Sequence, residues 1–228
     1  MGFAVFDRIA GKYDRTNRLI SFGLDACWKR KMVREVRKNP PGRLLDLACG
    51  TGSLTRLLAK NLPVCPSDGA LPPITGADPS EAMLQKARRQ PRPNIQYVNA
   101  LAEHLPFDDH CFDAVTICYG IRNFEDRPLA FTQVYRTLQP GGCLYILEFS
   151  LPRPSFWNAP QRMYIHRILP LLGAWSTGDR NAYDYLKNTV ESFPSPDVIR
   201  KELCGAGFAT VTCKRLWPAV VVLYSAQK

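Results

Sequence analysis

The feature that most constrains the fold is a short apolar run that ends in two glycines at residues 44–52. The segment reads Leu-Leu-Asp-Leu-Ala-Cys-Gly-Thr-Gly. Leucines on both sides of Asp46 are typical of a strand that is buried on both faces of a parallel sheet. Gly50 and Gly52 let the backbone pass close to a ligand at the carboxyl end of that strand, because glycine has no Cβ. The segment therefore predicts an α/β fold with a nucleotide-like ligand.

The spacing after the two glycines argues against a dinucleotide. A dinucleotide fingerprint requires a third glycine at position 55, where this chain has Thr55. A second apolar stretch ends at Asp78, whose two carboxylate oxygens suit the two hydroxyls of a ribose. A ribose without a pyrophosphate points to S-adenosylmethionine as the cofactor. The glycines alone are weak evidence, since strand-to-helix turns also use glycine for steric reasons.

Apolar runs alternate with amphipathic stretches along most of the chain. The predicted strands lie near 43–48, 74–78, 95–98, 112–118, 142–149, 208–213 and 220–226, and the predicted helices near 52–61, 80–90, 127–138 and 196–206. This alternation predicts a Rossmann-like, doubly wound sheet that is mostly parallel. Ser80 is predicted to cap one helix, and residues 139–142 to end another before a strand.

The length of 228 residues suits a single domain. We predict that residues 1–40 form a helical cap and that residues 150–192, rich in proline and aromatic residues, form a lid-like insertion. The basic stretch 28–38 carries apolar residues at helical spacing, which fits either a solvated helix face or a contact site.

Composition narrows the choice of partner and compartment. The net charge of +10 attracts nucleic acid and anionic lipid alike. No apolar run approaches the roughly 18 residues of a membrane span, so contact with a bilayer would be peripheral. Eight cysteines without a Cys-x-x-Cys pair, and no secretory leader, predict reduced thiols and a cytoplasmic protein. The three histidines are scattered, which predicts that the protein binds no metal.

The fourth predicted strand ends at Cys118 and is followed by Tyr-Gly-Ile-Arg-Asn. The carboxyl ends of parallel strands face one crevice, so these residues would meet the methyl acceptor. Arg122 beside Asn123 suits a phenol-like acceptor, because a guanidinium favours the phenolate and the phenolate makes its ring carbon nucleophilic. The spacing equally allows Arg122 to cap the turn or to pair with Glu125 or Asp126. The motifs of amine-methylating enzymes and of cytosine carbon methylases are absent from this segment.

Several longer segments match one known family. They are 6–14, 45–52, 105–107, 112–113, 119–123, 138–142, 147–149, 182–186, 193–194 and 206–208, with Asn17, Ser21, Gly23 and Trp28. Together they resemble the UbiE/COQ5 methyltransferases over nearly the whole chain, and 120–123 and 12–14 are far more specific than the glycine pair. The resemblance implies a class I S-adenosylmethionine-dependent methyltransferase fold of seven strands. It also implies methylation of a ring carbon of demethylmenaquinol or of a ubiquinol precursor.

The resemblance also implies the site residues. The family's cofactor contacts fall on Thr51, Asp78, Leu101, Ala102 and Cys118, and the strand and glycine turn add Asp46, Gly50 and Gly52 as predicted cofactor-binding residues. Its acceptor residues fall on Arg122 and Asn123, with Tyr13 and Asp14 closing over them. Arg122 would stabilise the phenolate, Asn123 would orient it, and Tyr13 or a water would relay the proton. The family often has Asn-Ala at 101–102, so an asparagine contact is lost here unless the register slips to 99–100. It usually has Ser in place of Cys118, which is a poorer hydrogen-bond donor.

Three functions follow as hypotheses. The leading one is a ring-carbon methyltransferase of quinone biosynthesis, with the menaquinone branch favoured modestly over ubiquinone. Its substrate would be a prenylated quinol, whose tail needs an apolar channel at 156–185, while basic residues 29–38 contact anionic headgroups at the inner face of the membrane. A methyltransferase acting on RNA or another small molecule, and a non-catalytic cofactor-binding scaffold, are the alternatives. The leading hypothesis requires no nucleic acid, and it leaves a homo-oligomer open.

Overall fold

The computed structural model of the protein describes residues 18, 21–64, 71–150 and 188–228. Most of the predicted lid at 150–192, nearly all of the cap before residue 21, and both Tyr13 and Asp14 lie outside these ranges. The described residues form one seven-stranded sheet with helices packed against it. The described residues therefore include the cofactor side and the acceptor side of the predicted site, and the segment predicted to close over them lies outside these ranges.

The sheet has the strand order β3-β2-β1-β4-β5-β7-β6. Its strands are β1 (Leu44–Leu47), β2 (Ile74–Asp78), β3 (Ile95–Asn99), β4 (Phe112–Cys118), β5 (Leu138–Phe149), β6 (Thr210–Leu216) and β7 (Val221–Gln227). Strands β1 to β5 are parallel to one another, and β7 pairs antiparallel with both β5 and β6. This confirms the predicted doubly wound, mostly parallel sheet. The order reverses between β1 and β4, and ligands bind at such a switch point.

Helices connect the strands close to the predicted positions. They are α1 (Leu24–Val36), α2 (Ser53–Asn61), α3 (Glu81–Arg88), α4 (Arg127–Thr137) and α5 (Pro196–Gly205). The predicted cap of α3 is confirmed, because the Ser80 hydroxyl accepts the Met83 N–H at 3.2 Å. An N-cap of this kind satisfies a backbone donor that the helix itself leaves unpaired.

One strand boundary differs from the prediction. The sequence predicts that the fifth strand begins at 142, whereas β5 begins at Leu138, immediately after α4. Leu138 pairs with Phe112, and the register of the ladder then shifts before Ala114 pairs with Cys143. The Pro-Gly-Gly turn is therefore an irregularity within the ladder, since residues 139–142 loop out between two paired positions.

Two apolar clusters lie on opposite faces of the sheet. One packs α4 and α5 against alternate strand residues, and the other packs α1 and α2 against the residues between them. Helix α1 buries Trp28, Met32, Val33 and Val36, which are spaced along one face, and leaves Arg30 and Arg34 exposed. Each fully buried apolar side chain contributes about 1.5–3 kcal/mol, so this face anchors the cap helix to the sheet. Helix α1 thereby lies beside the carboxyl end of β1.

The described segments include no helix that is both long enough and apolar enough to span a bilayer.

Candidate cofactor and acceptor site

A cleft lies at the carboxyl ends of β1, β2 and β4, where the strand order reverses. It encloses about 600 Å³ of space, part of it open to solvent. Its lining includes six residues predicted from the sequence, namely Gly50, Asp78, Leu101, Ala102, Cys118 and Asn123. A second cavity of about 360 Å³ shares Gly50 and Cys118 with the cleft and adds Asp46 and Thr51. The fold thus brings these residues together from four separate segments of the chain.

The two glycines of the turn after β1 have different roles. Both have positive φ values, 55° at Gly50 and 73° at Gly52, which favour glycine. A Cβ on Gly50 would meet nothing within 4 Å, so this residue leaves open space beside the cleft. A Cβ on Gly52 would collide with the hydroxyl of Tyr97, from β3, and with Arg56. The prediction that both glycines contact the cofactor stays a prediction, and at Gly52 packing within the protein also requires a residue without a Cβ.

Asp46 lies in the middle of β1 and is only 1% exposed. Its carboxylate accepts hydrogen bonds from Thr55 Oγ1 at 2.5 Å and from Thr116 Oγ1 at 2.8 Å. Burial raises the pKa of Asp46 to about 6, and the two hydroxyl donors oppose that rise. Thr55 is the residue that breaks the dinucleotide fingerprint. The sequence interpretation used it only to exclude a cofactor and missed its contact with the carboxylate.

Asp78 connects the ends of β1 and β2. One oxygen of its carboxylate accepts the Gly50 N–H at 2.8 Å, and the other accepts the Ser80 N–H at 2.9 Å. The side chain is 8% exposed and lines the cleft. These two bonds fix the orientation of the carboxylate at the cleft.

The segment after β3 forms an apolar wall of the cleft. Leu101 and Ala102 line it, whereas the side-chain amide of Asn99 donates to the carbonyl of Pro79 at 3.1 Å. Of the two pairs considered, 99–100 and 101–102, the second lines the cleft. The neighbouring Glu103 is buried, and its Oε1 accepts the backbone N–H groups of Glu125 and Asp126, at 2.9 and 3.3 Å. This carboxylate ties the wall to the segment that follows Asn123, a contact that the sequence interpretation did not include.

The turn after β4 presents the predicted acceptor residues. Arg122 and Asn123 lie in one turn of 3₁₀ helix, Ile121–Asn123, and Asn123 lines the cleft. The Arg122 guanidinium donates to Glu148 Oε1 at 2.8 Å and to the Tyr119 carbonyl at 2.6 Å, and its side chain is 5% exposed. Glu148 lies in β5 and is fully buried. Spacing along the chain suggested Glu125 or Asp126 as a partner, but the partner seen here comes from the neighbouring strand.

Tyr119 lies between the two cavities and lines both. Its backbone has a φ of 59°, an unusual value for a residue with a large side chain. The ring stacks on Phe149, with 4.8 Å between ring centroids, and burial raises the pKa of its phenol well above the ordinary value. Among the described residues, the buried hydroxyl has no hydrogen-bond partner. It is therefore a protonated donor at the junction of the two cavities.

The described residues contain no cluster of His, Cys, Asp or Glu that could hold a metal ion. Within the same ranges, the cysteines at 27, 49, 111, 118, 143, 204 and 213 are free thiols. Burial raises the pKa of both Cys49 and Cys118 well above the ordinary value, which disfavours thiolate formation at the cleft.

The model of the ubiE/COQ5 methyltransferase family matches residues 3–228. The chain belongs to the ubiE/COQ5 methyltransferase family. A demethylmenaquinone methyltransferase from Thermus thermophilus is 41% identical over 208 residues, which are 90% of this chain and 91% of that protein. The ubiquinone/menaquinone biosynthesis C-methyltransferase UbiE from Shewanella halifaxensis is 34% identical, over 98% of this chain and 89% of that protein. Membership of this family confirms that the chain is a methyltransferase.

A solved structure with low sequence identity to this chain has the same fold. The S-adenosylmethionine-dependent methyltransferase from Mesorhizobium loti has a TM-score of 0.63 at 22% identity, over 90% of this chain and 100% of that chain. The class I methyltransferase fold is therefore confirmed, and S-adenosylmethionine is the cofactor of this family member. The residues present fit that cofactor, because Gly50 leaves space beside the cleft and the carboxylate of Asp78 lines it.

Proposed function

We propose that this enzyme methylates a ring carbon of demethylmenaquinol and so produces menaquinol. The observation that carries the proposal is that Asp78 and Asn123, which come from separate strand ends, line one cleft. A nucleoside and a ring substrate can therefore be held side by side. The name of the Thermus thermophilus relative, a demethylmenaquinone methyltransferase at 41% identity, supports this choice of ring.

The cofactor side of the cleft would bind the nucleoside. Asp78 would accept the ribose hydroxyls, Leu101 and Ala102 would pack against the base, and Gly50 and Thr51 would contact the cofactor through the turn. Cys118 would face the cofactor from the end of β4. When bound, S-adenosylmethionine supplies a methyl group on a positively charged sulfur. The protein's part is to align the acceptor carbon with that methyl group and to exclude water.

The acceptor side would activate the quinol. Asn123 would donate its amide to a ring oxygen and so orient the ring, because it lines the cleft. Arg122 would favour the phenolate by its positive charge. The guanidinium donates a hydrogen bond to Glu148, so the carboxylate would neutralise part of the positive charge that acts on the phenolate. Tyr13, which lies outside the described residues, or a water molecule would relay the proton.

Incubation of the purified protein with labelled S-adenosylmethionine and demethylmenaquinol tests the proposal. We expect label in menaquinol, detected by chromatography. Protein that binds S-adenosylhomocysteine but transfers no label would refute the proposed acceptor. A parallel reaction with RNA should give no labelled product, since we assign the basic residues to contact with an anionic membrane and not with nucleic acid.

The ubiquinone branch is the second candidate. It is favoured by the relative from Shewanella halifaxensis, whose name covers both ubiquinone and menaquinone biosynthesis. A competition assay with equal concentrations of demethylmenaquinol and a 2-polyprenyl-benzoquinol compares the two acceptors directly. We expect the naphthoquinol to have the higher kcat/KM, and the reverse ratio would move the enzyme to the ubiquinone branch.

We also propose that the protein contacts the cytoplasmic face of an anionic membrane. Two large aromatic side chains are unusually exposed, Phe22 at 69% and Trp217 at 73%. The indole N–H of Trp28 donates to the Trp217 carbonyl at 2.8 Å, which links the start of α1 to the turn before β7. Basic residues on α1, including Arg30 and Arg34, are exposed, and such residues favour anionic lipid.

Co-sedimentation with vesicles tests the membrane contact. Binding should be strong with anionic vesicles, weak with zwitterionic ones, and reduced by a Phe22→Ser/Trp217→Ser double variant that keeps the affinity for S-adenosylhomocysteine. Exposed Val198, changed to Ser, serves as the control on α5. Equal binding of all three proteins to anionic vesicles would show that the aromatic pair does not contribute.

A further inference from the structure

The second cavity contains a lysine that none of the roles above uses. Lys29 of α1 reaches the cavity beneath the turn after β1, and its side chain is only 12% exposed. Its ammonium lies 3.0 Å from Asp25 Oδ2 and donates to Ser53 Oγ at 2.8 Å. Other basic residues of α1, such as Arg30 and Arg34, are exposed, as expected for charges on a surface helix. Burial of a lysine is costly, so its position at a cavity calls for a reason beyond solubility.

The groups around Lys29 favour an anion. Ser53 is the first residue of α2, so its hydroxyl lies where the helix dipole is positive and backbone N–H groups lack helical partners. The buried hydroxyl of Tyr119, which has no partner among the described residues, lines the same cavity. An ammonium, a hydroxyl at a helix start and a phenol are all donors. A carboxylate is the group of matching size and charge.

The lining of the cavity also includes a negative charge. Asp46 lines the cavity too, and the positive charge of Lys29 favours the ionised form of this carboxylate. A cavity lined by one cationic and one anionic side chain suits a zwitterion, such as the α-amino acid part of S-adenosylmethionine. The cavity shares Gly50, Cys118 and Tyr119 with the main cleft, so a single ligand can extend from one into the other.

We propose that Lys29 binds the α-carboxylate of the cofactor's amino acid, with Ser53 as a second donor. Asp25 is the positioning residue, since it pairs with the ammonium but does not line the cavity. This assignment depends on the cofactor but not on the identity of the quinol. It gives a functional reason for the position of α1 beside the glycine turn. The cap helix then completes the cofactor site.

Binding of two natural cofactor forms isolates this contact. Decarboxylated S-adenosylmethionine differs from S-adenosylmethionine only by the missing carboxylate. We expect calorimetry to show that the wild-type protein prefers the complete cofactor by about 10- to 100-fold, as for a charge-assisted hydrogen bond. In Lys29→Met this preference should fall to about twofold or less, because affinity for the complete cofactor drops while affinity for the decarboxylated form changes little.

Three further variants control the experiment. Lys31→Met removes a lysine from the same helix that lines neither cavity, and its preference should equal that of the wild type. Lys29→Arg should keep most of the preference, since it keeps the charge. Ser53→Ala should reduce the preference by a few-fold, which provides an independent test if Lys29→Met folds poorly.

Two results would overturn the assignment. If Lys29→Met weakened both cofactor forms by the same factor, Lys29 would have a structural role only. If the preference for the complete cofactor survived in both Lys29→Met and Ser53→Ala, the carboxylate would be bound elsewhere. A failure of the quinol assay, with these binding ratios intact, would count against the proposed acceptor and not against Lys29.

Discussion

The cofactor wall and the acceptor turn are built in different ways. The cofactor wall consists of the segment 46–55 and Asp78, and its contacts are backbone N–H groups and short hydroxyl side chains at neighbouring strand ends. The acceptor turn, residues 119–123, is held from beneath by the buried pair of Arg122 and Glu148. The first region relies on the path of the main chain, whereas the second relies on one ion pair between two strands.

This difference determines how each region should fail. Backbone donors remain in place when one side chain is changed, so the cofactor wall should lose function in small steps. A buried ion pair loses its balance when one partner is removed, because the remaining charge has no counterion. The acceptor turn should therefore lose stability and activity abruptly.

The largest effect is expected from Glu148→Leu. This change leaves the Arg122 guanidinium buried without its carboxylate, and we expect a loss of about 3–5 kcal/mol in the free energy of unfolding, measured by urea denaturation. The double variant Arg122→Met/Glu148→Leu should recover most of that stability, since an apolar pair replaces the ion pair. A loss below about 1 kcal/mol in the single variant would show that the turn does not depend on this pair.

Arg122→Ala should impair the acceptor turn, measured by turnover, much more than the cofactor wall, measured by cofactor affinity. We expect turnover to fall about 100-fold or more, as for loss of a charge that stabilises the reacting oxygen. The dissociation constant of S-adenosylhomocysteine, measured by calorimetry, should change less than threefold or so. Arg127→Ala, which removes an arginine paired with Glu202 between α4 and α5, is the matched control and should change neither quantity much. Equal losses of turnover and cofactor affinity would assign Arg122 to structure alone.

The pH dependence of stability tests the environment of Asp46 in the cofactor wall. Burial raises the pKa of Asp46 from 3.8 to about 6, so the folded protein binds this proton more tightly than the unfolded chain. The resulting stabilisation is complete below pH 3.8 and is lost as pH rises through about 6. Between these limits the wild type should lose about 3 kcal/mol relative to Asp46→Asn, as read from urea denaturation at a series of pH values. Parallel pH profiles of the two proteins would contradict the assignment.

The smallest effects are expected at the two glycines. Gly52→Ala should cost about 1–3 kcal/mol of stability, because its Cβ would overlap the Tyr97 hydroxyl and its φ is positive. The same change in a Tyr97→Phe background should cost less. Gly50→Ala should cost only about 1 kcal/mol, for its positive φ, yet should weaken binding of S-adenosylhomocysteine more than Gly52→Ala does. The opposite order of affinities would show that Gly52, not Gly50, borders the cofactor.

Much of the cofactor wall could be predicted from the sequence. Asp78 ends a short apolar strand, and the register of β1 and β2 places it beside the glycine turn. Such features follow from local patterns, because strands, turns and caps depend on neighbouring residues. The role of Thr55 could have been found from its position in the first turn of α2, where a hydroxyl can reach back to the preceding strand.

The acceptor turn could be located but not explained from the sequence. The segment 119–123 was identified from its motif, and the structure places Asn123 at the cleft. The partner of Arg122 is 26 residues away, and no spacing rule within one helix or turn reaches that far. Lys29 is likewise one charge among many on a basic helix. The periodicity of α1 places it on the face that carries Met32, Val33 and Val36, but only the structure shows that it reaches a cavity.

By itself, the sequence determined the strands, the glycine turn, the strand-end carboxylate and the acceptor motif, because each depends on residues close together in the chain. The tertiary structure alone decided which groups neutralise one another. It paired Arg122 with Glu148, gave the Asp46 carboxylate a donor 70 residues away in Thr116, and brought Lys29 to the second cavity. The physical reason is that buried charges are balanced through space, and the strand order sets the neighbours in space.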